Sequence, residues 1–214
     1  MPHLVLASRS PARLATLGAA GVQPTVVVSD VDEDAVLAAA RDRFPGLEPA
    51  DAVLVLAQAK AEAVAGSVED SALVLGCDSM LELDGEVVGK PVDADDARTR
   101  WRTMRGRSGV LHTGHWLLDA RDADDGGTGA TLGATSSTTV YFADIDDEEI
   151  DSYVATGEPL HVAGAFTIDG LGGPYVERVE GDHHGVVGLS LPLLRALLAE
   201  IGVQWRTLRT TDAG

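Results

Sequence analysis

The start of the chain constrains the fold more strongly than any other segment. Residues 4–7 form a short apolar run that is typical of a buried strand, and a Ser-Arg-Ser-Pro segment follows it directly. Serine is favoured at the N-cap of a helix and proline at its first position, so we predict a helix over residues 11–20. A strand, a tight turn and a helix in this order indicate an α/β protein.

The same turn is a candidate anion-binding site. A helix N-terminus presents unpaired N–H groups and a partial positive charge, and Ser8, Ser10 and Arg13 add two hydroxyl groups and a guanidinium. The formal net charge of the chain is −18, from 34 acidic and 16 basic residues, so a phosphate site has to be built locally. An ordinary capped helix after a strand explains these residues equally well, and the motif alone leaves both interpretations open.

The rest of the sequence alternates between strand and helix patterns. We expect a mixed β-sheet flanked by helices, folded as a single domain over residues 1–214 with two lobes, because the chain contains neither an internal repeat nor a linker. The Asp- and Gly-rich segment 119–131 is expected to be a solvated, mobile connection. The predicted strands are 26–28, 73–75, 81–88 (a hairpin with an Asp-Gly turn), 111–118 and 138–143, and the predicted helices are 49–65, 93–104, 146–155 and 192–201.

Composition limits the functional classes. Apolar residues make up 45% of the chain and aromatic residues 4%, so Val, Leu and Ala are expected to fill most of the core. The single cysteine, Cys77, excludes an internal disulfide and fits a reducing cytoplasm. The sequence predicts neither a membrane span nor a signal peptide. A pI near 4.5 argues against binding to a nucleic-acid polymer, whereas a single nucleotide needs only a few cations.

Asp78 is the first candidate catalytic residue. We predict that the apolar strand 73–75 ends at Gly76-Cys77-Asp78, which places a carboxylate at the carboxyl end of a strand, where α/β proteins bind ligands. A carboxylate beside a buried strand is unfavourable without a partner or a role, so a general base or a metal ligand suits this position. A turn aspartate that caps the next segment is the alternative.

Four acidic residues follow the predicted strand 26–28. In an extended chain, Asp30, Asp32 and Asp34 would lie on one face and repel one another unless they are solvated or neutralised by a cation. Oxygen ligands of this kind suit Mg²⁺ or Mn²⁺. We expect most of the segment to be a solvated acidic loop and single out Glu33 as the candidate ligand.

Two lysines are placed for phosphate binding. Lys60 falls on the apolar face of the predicted helix 49–65, at the 4-3-4 spacing of one helix face. It could extend along the apolar surface to solvent or reach into a cleft toward phosphate, and both interpretations fit. Lys90 precedes Pro91, which restricts the lysine backbone to extended conformations and so fixes the direction of its side chain.

The histidines and glycines argue against several classes of site. His112 and His115 lie three residues apart on a predicted strand, hence on opposite faces, and no cysteine partner completes a zinc set. His183 and His184 are expected in a Gly-Asp turn. A Ser–His–Asp triad is not supported, because the sequence has no Gly-x-Ser-x-Gly elbow. The Walker motif and Gly-x-Gly-x-x-Gly are also absent, which argues against a P-loop enzyme and a Rossmann dehydrogenase.

Taken together, these segments resemble the Maf family of nucleoside triphosphate pyrophosphatases, whose fold is related to that of the inosine triphosphate pyrophosphatases. The resemblance extends from residue 4 to about residue 200 and rests on the number, order and spacing of the motifs. The motifs begin at Ser8 (Ser-Arg-Ser-Pro-Ala-Arg), Ser29 (Ser-Asp-Val-Asp-Glu), Ala57 (Ala-Gln-Ala-Lys-Ala), Gly76 (Gly-Cys-Asp), Gly89 (Gly-Lys-Pro), Gly106 (Gly-Arg-Ser), His112 (His-Thr-Gly), Glu158 (Glu-Pro-Leu), Ala163 (Ala-Gly-Ala-Phe) and Val187 (Val-Gly-Leu).

The resemblance implies two lobes around a central cleft and a reaction in which water attacks the α-phosphate of a nucleoside triphosphate. The products are the monophosphate and pyrophosphate, and Asp78 is implied to be the proton acceptor. A divalent cation, Mg²⁺ or Mn²⁺, and a homodimer are implied as well. The implied site residues are Asp78, Glu33 and Lys60 for catalysis, Ser8, Ser10, Arg13 and Lys90 for phosphate binding, and Glu33 and Asp78 for the metal.

The departures from the family pattern concern one phosphate contact and the base pocket. Ala12 replaces the first arginine of the family's usual pair, and His161, Phe166 and Asp169 are the base-pocket candidates. Many relatives have a glutamine where Asp169 stands, and that branch acts on thymidine and uridine triphosphates. An acidic residue resembles the branch acting on 7-methylguanosine triphosphate, since a carboxylate accepts from guanine donors. The base preference stays open. The alternative for Asp169 is a simple turn residue without a role in base recognition.

Two other functions remain open beside an enzyme that removes non-standard or excess nucleotides. The family name comes from inhibition of septum formation, so a non-catalytic nucleotide-binding regulator of cell division is one alternative. The carboxylate of Asp78 favours catalysis, because a sensor could dispense with it. A metal-dependent phosphatase of another class is the second alternative, and it would release orthophosphate instead of pyrophosphate.

Overall fold

The structure, a computed structural model, describes residues 2–68 and 71–210. The strands are β1 (Leu4–Ala7), β2 (Thr25–Val26), β3 (Ala72–Leu83), β4 (Glu86–Val88), β5 (Ser108–Ala120), β6 (Thr131–Phe142) and β7 (Val176–Glu180). The α-helices are α1 (Pro11–Ala19), α2 (Glu33–Arg43), α3 (Pro49–Ala65), α4 (Ala94–Met104), α5 (Asp147–Ala155), α6 (His183–Val187) and α7 (Leu191–Glu200). Short 3-10 helices connect several of these elements.

The described strands form one mixed sheet. Its order is β2-β1-β3-β5-β6-β7, and β4 pairs with β3 outside this path. Strand β1 runs parallel to β2 and to β3, whereas β4 is antiparallel to β3 and β7 is antiparallel to β6. The predicted α/β class with a mixed sheet flanked by helices is confirmed.

The chain divides into two compact units. The first unit comprises the described residues of Met1–Asp78, Thr113–Ser136 and Gly188–Gly214, and the second comprises Ser79–His112 and Ser137–Val187. The chain passes from one unit to the other within β3, β5 and β6. A single domain with two lobes stays a prediction.

The two units have cores of different composition. Aliphatic side chains from β1, β3, α1 and α7 dominate the core of the first unit, as expected from the low aromatic content. The second unit is built around Trp101, whose ring makes edge-to-face contacts with Phe142, Tyr153 and Tyr175 at centroid distances of 5.8, 5.5 and 5.8 Å. Its indole N–H donates to the Ala165 carbonyl at 2.8 Å, so the buried polar atom is satisfied.

Several predicted elements are confirmed by the structure. Helix α3 spans Pro49–Ala65, the range expected from its apolar periodicity, and Asp93 caps α4 by accepting from the backbone N–H of Asp96. The hairpin of β3 and β4 turns at Asp84 and Gly85, with φ angles of 55° and 83°. Positive φ at both central residues identifies a type I′ turn, as the Asp-Gly sequence predicts.

Two elements near the candidate site differ from the prediction. Strand β3 does not end at Gly76–Asp78 but continues to Leu83, so Asp78 lies inside an unbroken strand. Helix α2 was not predicted, because only Ala40 is buried along it and the sequence therefore shows no apolar periodicity. The helix is stabilised at its ends instead, by the Asp32 cap, by acidic residues in the first turn and by arginines in the last turn.

The connection between β5 and β6 is organised around a buried carboxylate. Asp119 was expected to open a solvated loop, but it lies within β5 and is buried. Its oxygens accept from Nε and Nη2 of Arg121 at 2.7 and 2.9 Å and from the backbone N and Oγ1 of Thr128 at 2.9 and 2.8 Å. The bidentate pair and the Thr128 bonds explain how a charge is tolerated there.

No helix among the described residues combines the length and the apolar character that crossing a membrane requires.

Candidate active site

The turn before α1 has the predicted capped geometry. The Oγ of Ser10 accepts from the backbone N–H of Arg13 at 3.4 Å, and Pro11 opens the first turn of the helix. Ser8 is buried, and its Oγ accepts from the backbone N–H of Ser10 at 3.2 Å and from Nη1 of Arg13 at 3.1 Å. Because these bonds use the lone pairs of the oxygen, the hydroxyl hydrogen of Ser8 can donate to a ligand oxygen.

The guanidinium of Arg13 is buried and holds two backbone segments. Its Nε donates to the Gly188 carbonyl at 2.7 Å, and its Nη1 donates to the Cys77 carbonyl at 2.9 Å. Cys77 directly precedes Asp78 in β3. Arg13 therefore fixes the backbone beside Asp78 and adds positive charge there, a role that the sequence pattern did not indicate.

Lys60 brings the predicted catalytic residues together. It lies on the buried face of α3 and is 8% exposed, so it does not extend to solvent. Its Nζ lies 2.5 Å from Oδ1 of Asp78 and 2.9 Å from Oε1 of Glu33. The 4-3-4 spacing correctly placed Lys60 on the apolar helix face, and the structure decides between the two open interpretations in favour of an inward direction.

A glycine in β3 explains how Lys60 reaches Asp78. Gly76 and Asp78 are two residues apart in the strand and share one face of the sheet. A Cβ at Gly76 would contact the carbonyl oxygen of Ala57 and lie 2.8 Å from the backbone nitrogen of Ala61, so α3 packs directly on the strand backbone. Lys60 follows Ala57 by three residues on the same helix face, which places its side chain over Asp78.

The environment of Asp78 suits a proton acceptor. Burial raises the pKa of Asp78 above its ordinary value, although the positive charges of Lys60 and Arg13 act in the opposite direction. The side chain keeps 11% exposure, so water can reach it. A carboxylate with a raised pKa is a stronger base at neutral pH than an ordinary aspartate. Burial also raises the pKa of neighbouring Cys77 to about 12, so its thiol stays protonated and is a poor nucleophile.

Glu33 and Asp78 offer a chemically suitable pair of metal ligands. Glu33 is the first residue of α2, and its side chain is 53% exposed. Lys60 contacts Oδ1 of Asp78 and Oε1 of Glu33, so the second oxygen of each carboxylate is left for a cation. Their hard oxygen atoms suit Mg²⁺ or Mn²⁺ in ligand type. The donor set therefore fits a divalent cation.

The other acidic residues of this segment have structural positions. Asp32 caps α2, accepting from the backbone N–H of Ala35 at 3.0 Å, and Asp34 lies in the first turn of the helix. Asp32 and Asp34 are therefore not alternate residues of an extended strand, and the predicted common face with Asp30 is wrong. The cap interaction explains the difference, because it pairs an aspartate with a free helix N–H group.

Lys90 belongs to the second unit and follows a fixed backbone position. The carbonyl of Gly89 accepts from the backbone N–H of Gly164 at 3.1 Å and from Nη1 of Arg100. The Lys90 side chain is exposed and makes no ion pair with any described residue. It is thus an available cation at the end of an anchored segment.

The base-pocket candidates also lie in the second unit, in different surroundings. Phe166 is 4% exposed and packs edge-to-face on Phe142 at a centroid distance of 5.0 Å, so its ring belongs to the core. His161 and Asp169 are exposed. The carboxylate of Asp169 has no hydrogen-bond or ion-pair partner among the residues that the structure describes. Their role in base recognition stays a prediction.

Glu158 is a residue whose hydrogen-bonded position the sequence did not predict. Its carboxylate accepts hydrogen bonds from Tyr153, Thr167, Leu171 and Gly172. Burial raises its pKa, but these hydrogen bonds outweigh burial and hold the pKa below the ordinary value, so the carboxylate is ionised at neutral pH. The Glu-Pro-Leu motif was the available signal, although it does not reveal the partners.

The histidine pair near the end of the second unit begins a short helix. Asp182 accepts from the backbone N–H groups of His184 and Gly185 at 3.2 and 3.1 Å, and α6 starts at His183, so the predicted turn is wrong. These carboxylate bonds pair the first N–H groups of the helix, which explains the difference. Asp182, His183 and His184 also bring potential metal-ligand atoms within 4.8 Å of one another.

The family model described as Maf-like protein matches residues 3–201. This chain belongs to the Maf family. A protein of Salinispora tropica named nucleoside triphosphate pyrophosphatase is 57% identical over 205 residues, covering 94% of this chain and 84% of that protein. Proteins with the same name from Streptomyces coelicolor and Leifsonia xyli subsp. xyli are each 53% identical. They cover 94% and 96% of this chain and 91% and 96% of their own lengths.

Membership of the Maf family confirms the resemblance that the motifs indicated. All candidate site residues, from Ser8 to Asp169, fall within the matched range. A solved structure of the Staphylococcus aureus Ham1 protein is similar at a TM-score of 0.37 and 15% identity, over 66% of this chain and 72% of that one. That similarity is too weak to support a shared fold.

Proposed function

We propose that this Maf family protein hydrolyses nucleoside triphosphates to the monophosphate and pyrophosphate. The observation that carries the proposal is the buried Lys60–Asp78 pair, which Glu33 joins from α2. A buried carboxylate with a raised pKa, reached by solvent and flanked by cations, is suited to orient and deprotonate an attacking water. The names of relatives at 57% and 53% identity support a triphosphate as the substrate.

In this proposal, Asp78 receives the proton of the water that attacks the α-phosphate. Lys60 keeps the carboxylate in one orientation through the 2.5 Å contact and supplies positive charge beside it. Arg13 stabilises the backbone of the preceding residue. A divalent cation held by Glu33 and Asp78 would neutralise charge on the phosphate oxygens and polarise the phosphorus.

The phosphate chain would be held by neutral and cationic donors. In the first unit, Ser8 can donate its hydroxyl hydrogen to a phosphate oxygen. Lys90, in the second unit, is exposed and stays a predicted phosphate ligand. Arg13 contributes charge more than direct contact, because its Nε and Nη1 already bind backbone carbonyls. Such local cations are needed to bind a triphosphate on a chain of formal net charge −18. Removal of non-standard or excess nucleotides, cytoplasmic location and a homodimer stay predictions.

The reaction is tested by hydrolysis in ¹⁸O-labelled water. Purified protein is incubated with standard and modified nucleoside triphosphates and Mg²⁺ or Mn²⁺. The products are separated, and their ¹⁸O content is measured by mass spectrometry. We expect pyrophosphate and a monophosphate that carries the label, because water attacks the α-phosphate. Label in pyrophosphate, release of orthophosphate, or binding without turnover would each contradict the proposal, and the last result would favour a nucleotide-binding regulator.

A further inference from the structure

One carboxylate in the second unit organises a whole loop. Oε1 of Glu158 accepts from the Tyr153 hydroxyl at 2.9 Å, from Oγ1 of Thr167 at 2.6 Å and from the backbone N–H of Gly172 at 3.0 Å. Oε2 accepts from the backbone N–H of Leu171 at 2.9 Å. Three of these donors belong to the segment 167–172, which therefore closes around a single ionised side chain.

The glycines of this segment show how tightly it encloses the carboxylate. A Cβ at Gly170 would lie 2.5 Å from Oε2 of Glu158 and 2.7 Å from Oγ1 of Thr167. A Cβ at Gly172 would contact the Tyr153 hydroxyl and lie 2.7 Å from the Thr167 carbonyl oxygen. At Gly172 the obstructing atoms include the backbone of Thr167, so a side chain does not fit there, whereas at Gly170 they are the ends of the Glu158 and Thr167 side chains. The loop therefore packs directly against Glu158, whose carboxylate bonds hold Thr167, Leu171 and Gly172.

The 167–172 loop holds the exposed carboxylate of Asp169 between two anchored residues. Phe166, directly before the segment, is anchored in the core, and Gly172 at its other end is held by Glu158. Asp169 lies between these anchors, exposed and without a hydrogen-bond partner among the described residues. A carboxylate held in this way can accept N–H donors of a nucleobase in one geometry.

We infer that Glu158 is a positioning residue that sets base selectivity by holding the 167–172 loop and, through it, Asp169. The inference rests on the proposed function, since it assumes a nucleotide substrate. The hydrogen bonds of the Glu158 carboxylate go to Tyr153, Thr167, Leu171 and Gly172, all in the second unit. Its loss should therefore weaken discrimination between bases and leave recognition of the phosphate chain intact.

Glu158→Gln is the informative substitution because it keeps the size of the side chain. The carboxamide has one acceptor oxygen, so its NH₂ group would face a backbone N–H of Leu171 or Gly172. Two donors cannot pair, and the loop has to rearrange. Thr167→Ala removes the 2.6 Å bond and retains the carboxylate, so it should act in the same direction with a smaller effect.

The experiment measures kcat/KM for GTP, UTP, ATP and CTP, together with competition by inorganic tripolyphosphate, which has no base. We expect Glu158→Gln to reduce the ratio between the best and the worst nucleotide by about tenfold, mainly through KM. Tripolyphosphate competition should change less than about twofold. Glu177→Gln, an exposed position in β7, serves as the matched control and should leave every ratio unchanged.

The outcomes separate this inference from the proposed function. If the wild-type protein turns over no triphosphate, the proposed function fails, and the same ratios are taken from dissociation constants in fluorescence titrations. A wild-type protein that treats all bases alike overturns the inference. An equal loss for nucleotides and tripolyphosphate also overturns it, because Glu158 would then act only on general stability. Thr167→Ala keeps the test decisive if Glu158→Gln does not fold.

Discussion

Replacing Gly76 with alanine tests how the fold brings Lys60 to Asp78. The new Cβ would contact the carbonyl oxygen of Ala57 and lie 2.8 Å from the backbone nitrogen of Ala61, where ordinary contact begins at 3.4 Å. Helix α3 must therefore withdraw from β3 by about 0.6 Å at Ala61 and further at Ala57. The obstructing atoms belong to helix backbone, so no side chain can rotate away to relieve the contact.

We expect this substitution to lower both stability and turnover. Overpacking of a tight interior costs about 1–3 kcal/mol, and the upper end applies because backbone must move. A displacement of about 1 Å at a catalytic contact can lower the rate about 100-fold, so kcat for triphosphate hydrolysis should fall at least about tenfold. Urea unfolding followed by circular dichroism gives the first quantity, and steady-state kinetics give the second.

Gly66→Ala provides the matched control at the end of the same helix. Gly66 has φ −68° and ψ −14°, which alanine adopts readily, and its Cβ would have no described atom within 4 Å. Its stability should change by less than about 0.5 kcal/mol. Wild-type stability and kcat in Gly76→Ala would refute the reasoning, since the close approach of α3 would then not set the Lys60–Asp78 contact.

Two further predictions concern buried charges. Lys60→Met removes the ammonium beside the Asp78 carboxylate, so the free energy of unfolding should fall by about 3–5 kcal/mol. Adding Asp78→Asn to the same chain should restore part of this loss. Fully additive losses of the two substitutions in urea titrations would contradict the pairing. Burial raises the pKa of Asp119, but the hydrogen bonds from Arg121 and Thr128 lower it by more, and the resulting pKa is about 2. Because this is below the unfolded value of about 3.9, the ionised carboxylate contributes about 2 kcal/mol above pH 4 that is lost as the pH falls through 2. The stability difference between wild type and Asp119→Asn should therefore shrink between pH 7 and pH 2, and a constant difference would contradict this assignment.

The sequence was most informative where one local pattern determines structure. The apolar periodicity of α3 predicted its bounds and placed Lys60 on the buried face, because one helix face must be buried; it left open whether the side chain turns inward or reaches solvent. Ser10 and Pro11 predicted the start of α1 for a similar reason, since a cap and a first-turn proline act within one helical turn. The Asp-Gly turn likewise follows from the φ angles of its two residues.

The sequence was less informative where distant contacts decide. Helix α2 has almost no buried face, so its acidic start was interpreted as an extended segment. Asp78 lies inside β3, and the partner of its buried carboxylate is Lys60, eighteen residues earlier in the chain. The hydrogen bonds of Glu158 connect residues up to fourteen positions apart, and no local pattern predicts them.

In the candidate site too, local motifs were informative and distant contacts could not be predicted. Motif order identified Lys60, Asp78 and Glu33, and the structure brings these three together. The backbone contacts of Arg13 could not be predicted, because Gly188 is 175 residues away in the sequence. Such contacts arise only once the core has assembled, so a structure is required to separate binding from positioning.

The most direct test of the central claim is the turnover of Asp78→Asn. The substitution keeps the size of the side chain but removes the proton acceptor, and general-base catalysis typically contributes about 100-fold or more. We expect kcat for the best nucleoside triphosphate to fall at least about 100-fold in Asp78→Asn, while Asp124→Asn, in an exposed connection, matches the wild type. Turnover of every triphosphate within about twofold of the wild type by Asp78→Asn would contradict the assignment of Asp78 as the base.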